Sequence, residues 1–489
     1  MNGRHDEAYG VERMSNDDLW AKSAGWLADA IRMREVSARE VMAAHLERME
    51  CVNGHVNAVV SRFDDASLKA ADQADKAVAR GEEVGPLHGV PVSVKINLAV
   101  AGQVTDEGCL TYADDEPETE DAIAVDRMRD AGAIVNARTN MPDLGMRWNT
   151  NNDLHGRTYN AWNPDVSPGG SSGGAAVAVA TGMSPLALAS DFGGSLTVPA
   201  ALNGVVSLRP TSGRLAAPAH AAIEGDVAVR LFYTDGVIAR SVEDVELAFG
   251  TLAGAHPLNP SSADAVRGSA PRRALLIRGL PGTPTDPDVR DGLDCTAKAL
   301  SDAGFDVVEG ALPSLDEASA LWQGVTYSEM ARGLPPEVMA MFSDETRAWT
   351  AAVMAQAPLL DTHEVPGALA RRIAIATEWS TLLADSPFIV GPVDPGLAWD
   401  RDFDSSGDLR KVAGELHERY KLTIAGTFLG LPTLTLPVSV NSQGLPVAVQ
   451  LLSWRFTEWQ LLHAASLIEK YVATRFTPVD PRIPSSVLG

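Results

Sequence analysis

Apolar positions between residues 17 and 50 recur at helical steps. Leu19, Trp20, Ala24, Leu27, Ala28 and Ile31 share one stripe. Ser37 stands three residues before Glu40, the Ser-x-x-Glu pattern of a capping box, and opens a second helix through Val41, His45, Leu46 and Met49. A polar and Ala-rich helix is predicted over 66–80. At 85–94 the period changes. A Gly-Pro-Leu-His-Gly turn leads into Val90, Val92 and Val94, which alternate as in a strand and end at Lys95. His88, inside the turn, is read as structural. A helix over 122–131 and a short strand over 133–135 follow, then loop from 149 to 168. The Gly/Ser cluster 169–174 precedes an Ala-rich helix. The apolar run 185–189 reads as a buried strand that ends in a second Gly-rich turn, Asp191 to Ser195.

In the second half, strands are predicted at 274–277 and 305–308. Between them runs a helix capped by Asp286, with Pro287 at its first position and its end near Ala303. Residues 315–385 read as mostly helical, with late strands at 388–390, 433–436 and 447–452 and a closing helix over 459–471. Two long runs carry no charge. The first, 166–190, reads as a loop, a buried helix and a strand. The second, 422–454, is broken by Gly430, Pro432, Pro437, Gly444 and Pro446, and reads as buried strands joined by turns. Strands alternating with helices indicate a layered α/β architecture. No composition shift marks a boundary, so one large domain is expected in spite of the 489-residue length.

Composition narrows the partners. Acidic residues number 64 against 40 basic ones, a net charge of −24. Such a surface repels phosphate backbones and anionic lipid, so neither nucleic acid nor membrane is expected as a partner. Cys51, Cys109 and Cys295 fit no disulfide or metal spacing, and the first residues lack a signal-peptide pattern. A cytoplasmic location is the expectation.

Three places carry candidate chemistry. Ser195 follows Gly193-Gly194, where glycines let several main-chain N–H groups converge on one point and form a cradle for an oxyanion. Ser171 and Ser172 lie in the other Gly cluster, just before a buried helix. Lys95 is delivered by an apolar strand, where desolvation lowers its pKa and turns it into a base. Together they supply a nucleophile, a bridging hydroxyl, a base and backbone donors.

These segments resemble the amidase-signature family. The resemblance is strongest in 85–95, Pro168 to Gly174 and Asp191 to Ser195, and continues through 209–214, 240–244 and 444–450. It implies a single α/β/α domain over 1–489, with a central mixed twisted β-sheet covered by helices on both faces. Within it, 1–80 forms an N-terminal helical layer, 85–250 the catalytic core, and 315–385 a helical substrate-pocket segment. It implies Ser195 as nucleophile, Ser171 as a proton shuttle behind a cis peptide, and Lys95 as base. The amides of Phe192, Gly193, Gly194 and Ser195 become the oxyanion hole, with Gly170, Ser172 and Asp191 as supports. Three departures stand out: Ile96-Asn97 where the family commonly has Asp after the lysine, Leu196-Thr197 in place of Ile-Arg, and Asn203-Gly204 in place of Cys-Gly. The second removes the arginine expected to pair with Asp191.

The implied activity is cleavage of a C–N acyl bond in a small, apolar or aryl amide, through an acyl-enzyme and without metal or cofactor. Carbamate hydrolysis on the same groups is the alternative. Gly145, Met146 and Trp148 are expected to line the acyl pocket, and a homodimer is left open. Gly169 to Gly173 also matches Gly-x-Ser-x-Gly, so an esterase with a histidine among His220, His256, His363, His417 and His463 is a rival. A phosphate-binding module lacks Gly-Lys-Ser/Thr after either loop. A role as one component of a tRNA-dependent amidotransferase lacks a basic surface for tRNA.

Overall fold

Eleven strands among the described residues join into one mixed sheet. They are β1 (Val59–Arg62), β2 (Pro91–Lys95), β3 (Ile134–Thr139), β4 (Leu186–Asp191), β5 (Val206–Arg209) and β6 (Thr234–Ala239) in the first half. The second half adds β7 (Arg273–Leu276), β8 (Asp306–Glu309), β9 (Phe388–Pro392), β10 (Thr433–Val440) and β11 (Pro446–Ser453). Their order is β1-β3-β2-β4-β6-β5-β10-β11-β9-β7-β8. The chain is seen here in a computed structural model that describes residues 16–215, 227–254, 271–333, 336–472 and 476–482.

Strand β2 runs parallel to both β3 and β4, and β7 runs parallel to β8 and β9. The pairs from β4 through β6, β5, β10 and β11 to β9 are antiparallel. Period-two side-chain alternation feeds two cores. In β9, Phe388 and Val390 join one apolar cluster while Ile389 joins the other; in β7, Ala274 and Leu276 part in the same way from Leu275. The first cluster holds the N-terminal helices and the Gly173–Ala180 helix, and the second holds residues of Leu315–Gly333, Val365–Asp385 and Lys421–Leu429. The α/β class with a large mixed sheet flanked by helices is therefore as the resemblance implied.

Local signals agree with the structure where side-chain chemistry dictates them. Ser37 and Glu40 form both halves of the capping box, and Asp286 caps the Pro287–Asp302 helix. One reading is corrected. Residues 422–429 are not strand but part of the Lys421–Leu429 helix, which ends at Gly430 with φ 70°. Every residue of that helix is buried, so it shows no amphipathic period, and its β-branched and aromatic residues imitate a strand. Strands β1, β5 and β6 and the helix Thr197–Asn203 were not predicted, being short; the helices Val242–Leu252 and Leu409–Arg419 were not predicted either, although both bury residues at helical steps. Among the described residues, no helix is long and apolar enough to cross a membrane.

Candidate active site

Parallel pairing of β2 with β4 places Val94 opposite Leu188, so the C-terminal ends of the two strands lie side by side. Lys95 ends β2, and Ser190-Asp191 ends β4. Lys95 is 0% exposed. Its Nζ lies 2.6 Å from Ser171 Oγ and 3.1 Å from Ser190 Oγ. Asn97 Nδ2 donates to the same Ser190 oxygen at 3.0 Å. No sequence motif singles out Ser190, although it directly precedes Asp191.

Ser171 sits on the turn between the loop and the Gly173–Ala180 helix, and the Gly170–Ser171 peptide is cis. Gly170 is there because nothing larger fits. A Cβ would lie 2.6 Å from Arg147 O and 2.7 Å from Asn149 N. Thr150 Oγ1 holds the Gly169 carbonyl at 2.8 Å, and Ser172 Oγ donates to Ser190 O at 3.2 Å. The loop is thereby tied to the end of β4. Asn203, at the family's Cys position, adds a further tie by donating from Nδ2 to Pro168 O at 2.7 Å.

The turn after β4 is organised by the Asp191 carboxylate. Its oxygens accept from Gly194 N at 3.0 Å and Leu196 N at 2.7 Å. Gly194 has φ +105°, a conformation that favours glycine. Two expectations change here. Asp191 does not lack an arginine: Arg209, at the end of β5, donates from Nε to Oδ1 at 3.1 Å. The partner comes from another strand, which spacing along the chain does not reveal. And the Gly194 N–H is spent on Asp191, so it is not free to meet an oxyanion. The amides of Phe192, Gly193 and Ser195 have no partner among the described residues.

Lys95, Ser171, Ser190 and Ser195 line one pocket of about 130 Å³. Gly145 and Met146 line it as expected, with Phe192, Met330 and Phe342. Trp148 lines an adjoining pocket, which shares Gly145, Met146, Phe192 and Ser195 with the first and adds Trp322 and Trp349, and its indole N–H supports the turn by donating to Gly193 O at 2.9 Å. Of the helical segment 315–385, Thr326, Met330, Val338 and Phe342 reach the Lys95 pocket; residues beyond 354 line neither pocket.

Burial dominates the electrostatics. Desolvation lowers the Lys95 pKa to about 7, opposed by the negative charges of Asp191, Glu107 and Asp235. Glu107, which lines the same pocket, is pushed up to about 7 by burial. No sequence motif marked it. Among the described residues, no group of three or more His, Cys, Asp or Glu side chains could hold a metal ion.

Of the rival's histidines, His220 and His256 lie outside the described residues. His363 and His463 are exposed. His417 is buried, with Nδ1 2.7 Å from Ala413 O and Nε2 3.0 Å from Tyr327 OH. His88 Nε2 lies 3.0 Å from Ala74 O, a structural contact.

The amidase family profile matches residues 40–462. An indoleacetamide hydrolase from Bradyrhizobium diazoefficiens is 34% identical over 92% of this chain and 86% of its own length. A glutamyl-tRNA(Gln) amidotransferase subunit from Moorella thermoacetica is 31% identical over 93% and 97%. A bacterial aryl acylamidase of the amidase-signature family shares the fold, with a TM-score of 0.81, 22% identity and coverage of 95% and 99%. The chain belongs to the amidase family and is an enzyme that hydrolyses amide C–N bonds.

Proposed function

We propose that the chain hydrolyses small primary arylacetamides, with Ser195 as nucleophile, Ser171 as relay and Lys95 as base. The observation that carries this reading is the 2.6 Å contact between Lys95 Nζ and Ser171 Oγ in a pocket that Ser195 also lines. Neutral Lys95 draws the Ser171 proton as Ser171 takes that of Ser195, and Ser195 Oγ attacks the amide carbonyl. The Phe192, Gly193 and Ser195 amides face the developing oxyanion. Each such donor is worth about 3–4 kcal/mol in a water-poor site. The proton returns through Ser171 to the leaving nitrogen, the C–N bond breaks, and ammonia departs. Water then repeats the sequence on the ester, releasing the acid and restoring Ser195.

The substrate class rests on the lining. Met141, Met146, Phe192, Met330 and Phe342 make an apolar chamber, and its one carboxylic residue, Glu107, disfavours acyl groups that carry a carboxylate. The 34% identity to an indoleacetamide hydrolase supports the same class. The test is a panel of phenylacetamide, indole-3-acetamide, a p-nitroanilide, an aryl carbamate and a p-nitrophenyl ester, run on wild type and Ser195→Ala. Ammonia release from the two arylacetamides, absent in Ser195→Ala, is the expected result. Turnover of the carbamate alone, or full activity in Ser195→Ala, would sink it.

A further inference from the structure

Beside Lys95 runs a chain of polar groups that the mechanism above does not use, of which Asn97, Ser190 and Tyr233 also line its pocket. Ser190 and Asp235 are register partners across the antiparallel pair β4–β6. Tyr233 OH donates to Asp235 Oδ1 at 2.9 Å, contacts Ser190, and lies 3.4 Å from Asn97 Nδ2. Asn97 has only donors on Nδ2, so it and Lys95 both give a hydrogen to Ser190 Oγ. The Ser190 hydrogen is then directed to the Tyr233 oxygen, and the Tyr233 hydrogen to the carboxylate. Each donor from Lys95 onward points toward Asp235. A chain aligned in this way is polarised to hold a cation at one end and an anion at the other.

We propose that Asp235, acting through Tyr233 and Ser190, is the positioning residue that holds the Lys95 ammonium in place and balances its charge. This inference rests on the reading of Lys95 as the base. The acidic groups acting on Lys95 are Asp191, Glu107 and Asp235. Asp191 is bound by Arg209, and burial raises the Glu107 carboxyl to about 7, so Glu107 is less fully ionised than Asp235 near neutral pH. Asp235 is 2% exposed, and no salt bridge joins it to any described residue. Its carboxyl is raised to about 6 by burial, so it is an anion at pH 8.

The test compares kcat, KM and the pH profile of kcat for wild type, Asp235→Asn, Tyr233→Phe and Lys95→Ala, with thermal melts as a check on folding. Asp235→Asn is expected to lower kcat about tenfold or more with KM little changed. It should also move the rising limb of the profile to lower pH, because a charge that raises the Lys95 pKa has gone. Tyr233→Phe keeps the carboxylate, breaks the chain, and lowers kcat by a smaller factor. A purely structural role would leave the limb where it is. Wild-type kcat with an unmoved limb in folded Asp235→Asn overturns the proposal. If that variant does not fold, a wild-type kcat in Tyr233→Phe overturns it. An inactive Lys95→Ala beside fully active Asp235→Asn and Tyr233→Phe sinks this inference alone, whereas an active Lys95→Ala sinks the base assignment itself.

Discussion

Arg209 Nε donates to Asp191 Oδ1 across 3.1 Å, and both side chains are fully shielded from water. The guanidinium also holds Leu431 O at 2.9 Å and Phe232 O at 2.7 Å. Asp191 in turn fixes the amides of Gly194 and Leu196, so one ion pair links the middle of the sheet to the turn that carries Ser195.

Removing one member of a buried pair leaves the other uncompensated, at a cost of about 3–5 kcal/mol. Arg209→Met and Asp191→Asn are therefore both expected to lower the urea midpoint strongly and to abolish activity. Equilibrium unfolding and amide turnover measure the two effects. A fully active, fully stable Arg209→Met would disprove the link.

Activity should rise with pH through about 7, the value to which burial lowers Lys95. Glu107 titrates in the same range, so the limb belongs to both groups. Glu107→Gln removes a negative charge that raises the Lys95 pKa, and should shift the limb to lower pH. A limb that moves upward in this variant would contradict the sign.

The buried lysine costs stability. Its folded pKa lies below the unfolded 10.5, so the unfolded chain binds the proton more tightly between pH 7 and 10.5. Stability must then rise with pH across that window, and the full penalty is present below pH 7. Lys95→Met should be inactive yet more stable than wild type at pH 7, by roughly 4 kcal/mol, the fall from 10.5 to about 7 taken at about 1.4 kcal/mol per pKa unit. Thermal melts at pH 7 and pH 10 check this, with the gap expected to close at the higher pH.

Trp148 donates to Gly193 O at 2.9 Å without lining the pocket of Lys95. Trp148→Phe keeps the packing and loses the hydrogen bond, a net change of about 1 kcal/mol. The expected outcome is a kcat lower by about tenfold with KM nearly constant, because the loosened turn misplaces the oxyanion donors. A raised KM with unchanged kcat would instead make Trp148 a substrate contact.

Gly170→Ala would drive a methyl group to 2.6 Å from Arg147 O, against backbone that cannot yield. Ser171 must then shift away from Lys95, and activity should fall at least about a hundredfold. Activity near wild type would show that the turn has more room than its geometry allows.

Much of this site was legible in the chain. Lys95, Ser171 and Ser195 stand in long ordered motifs because strand ends and glycine turns are dictated locally: period-two valines deliver the lysine, and glycines permit the two turns. The capping box at Ser37 and the cap at Asp286 were equally local, and both are present. What escaped was non-local. Arg209 replaces an arginine missing from the nucleophile segment, yet it sits on β5. Asp235 faces Ser190 only because β6 pairs with β4 in a given register. The Gly194 N–H pointed at the site in principle, until the Asp191 side chain claimed it.

By itself the sequence determined the α/β class, the chemical groups available and the two glycine turns, since these follow from periodicity and backbone freedom within a few residues. Strand order and register decided the rest. They chose the charge beside Asp191, the groups beside Lys95 and the walls of the pocket. Such contacts join residues far apart in the chain, and burial between sheet and helices makes their energies large enough to matter.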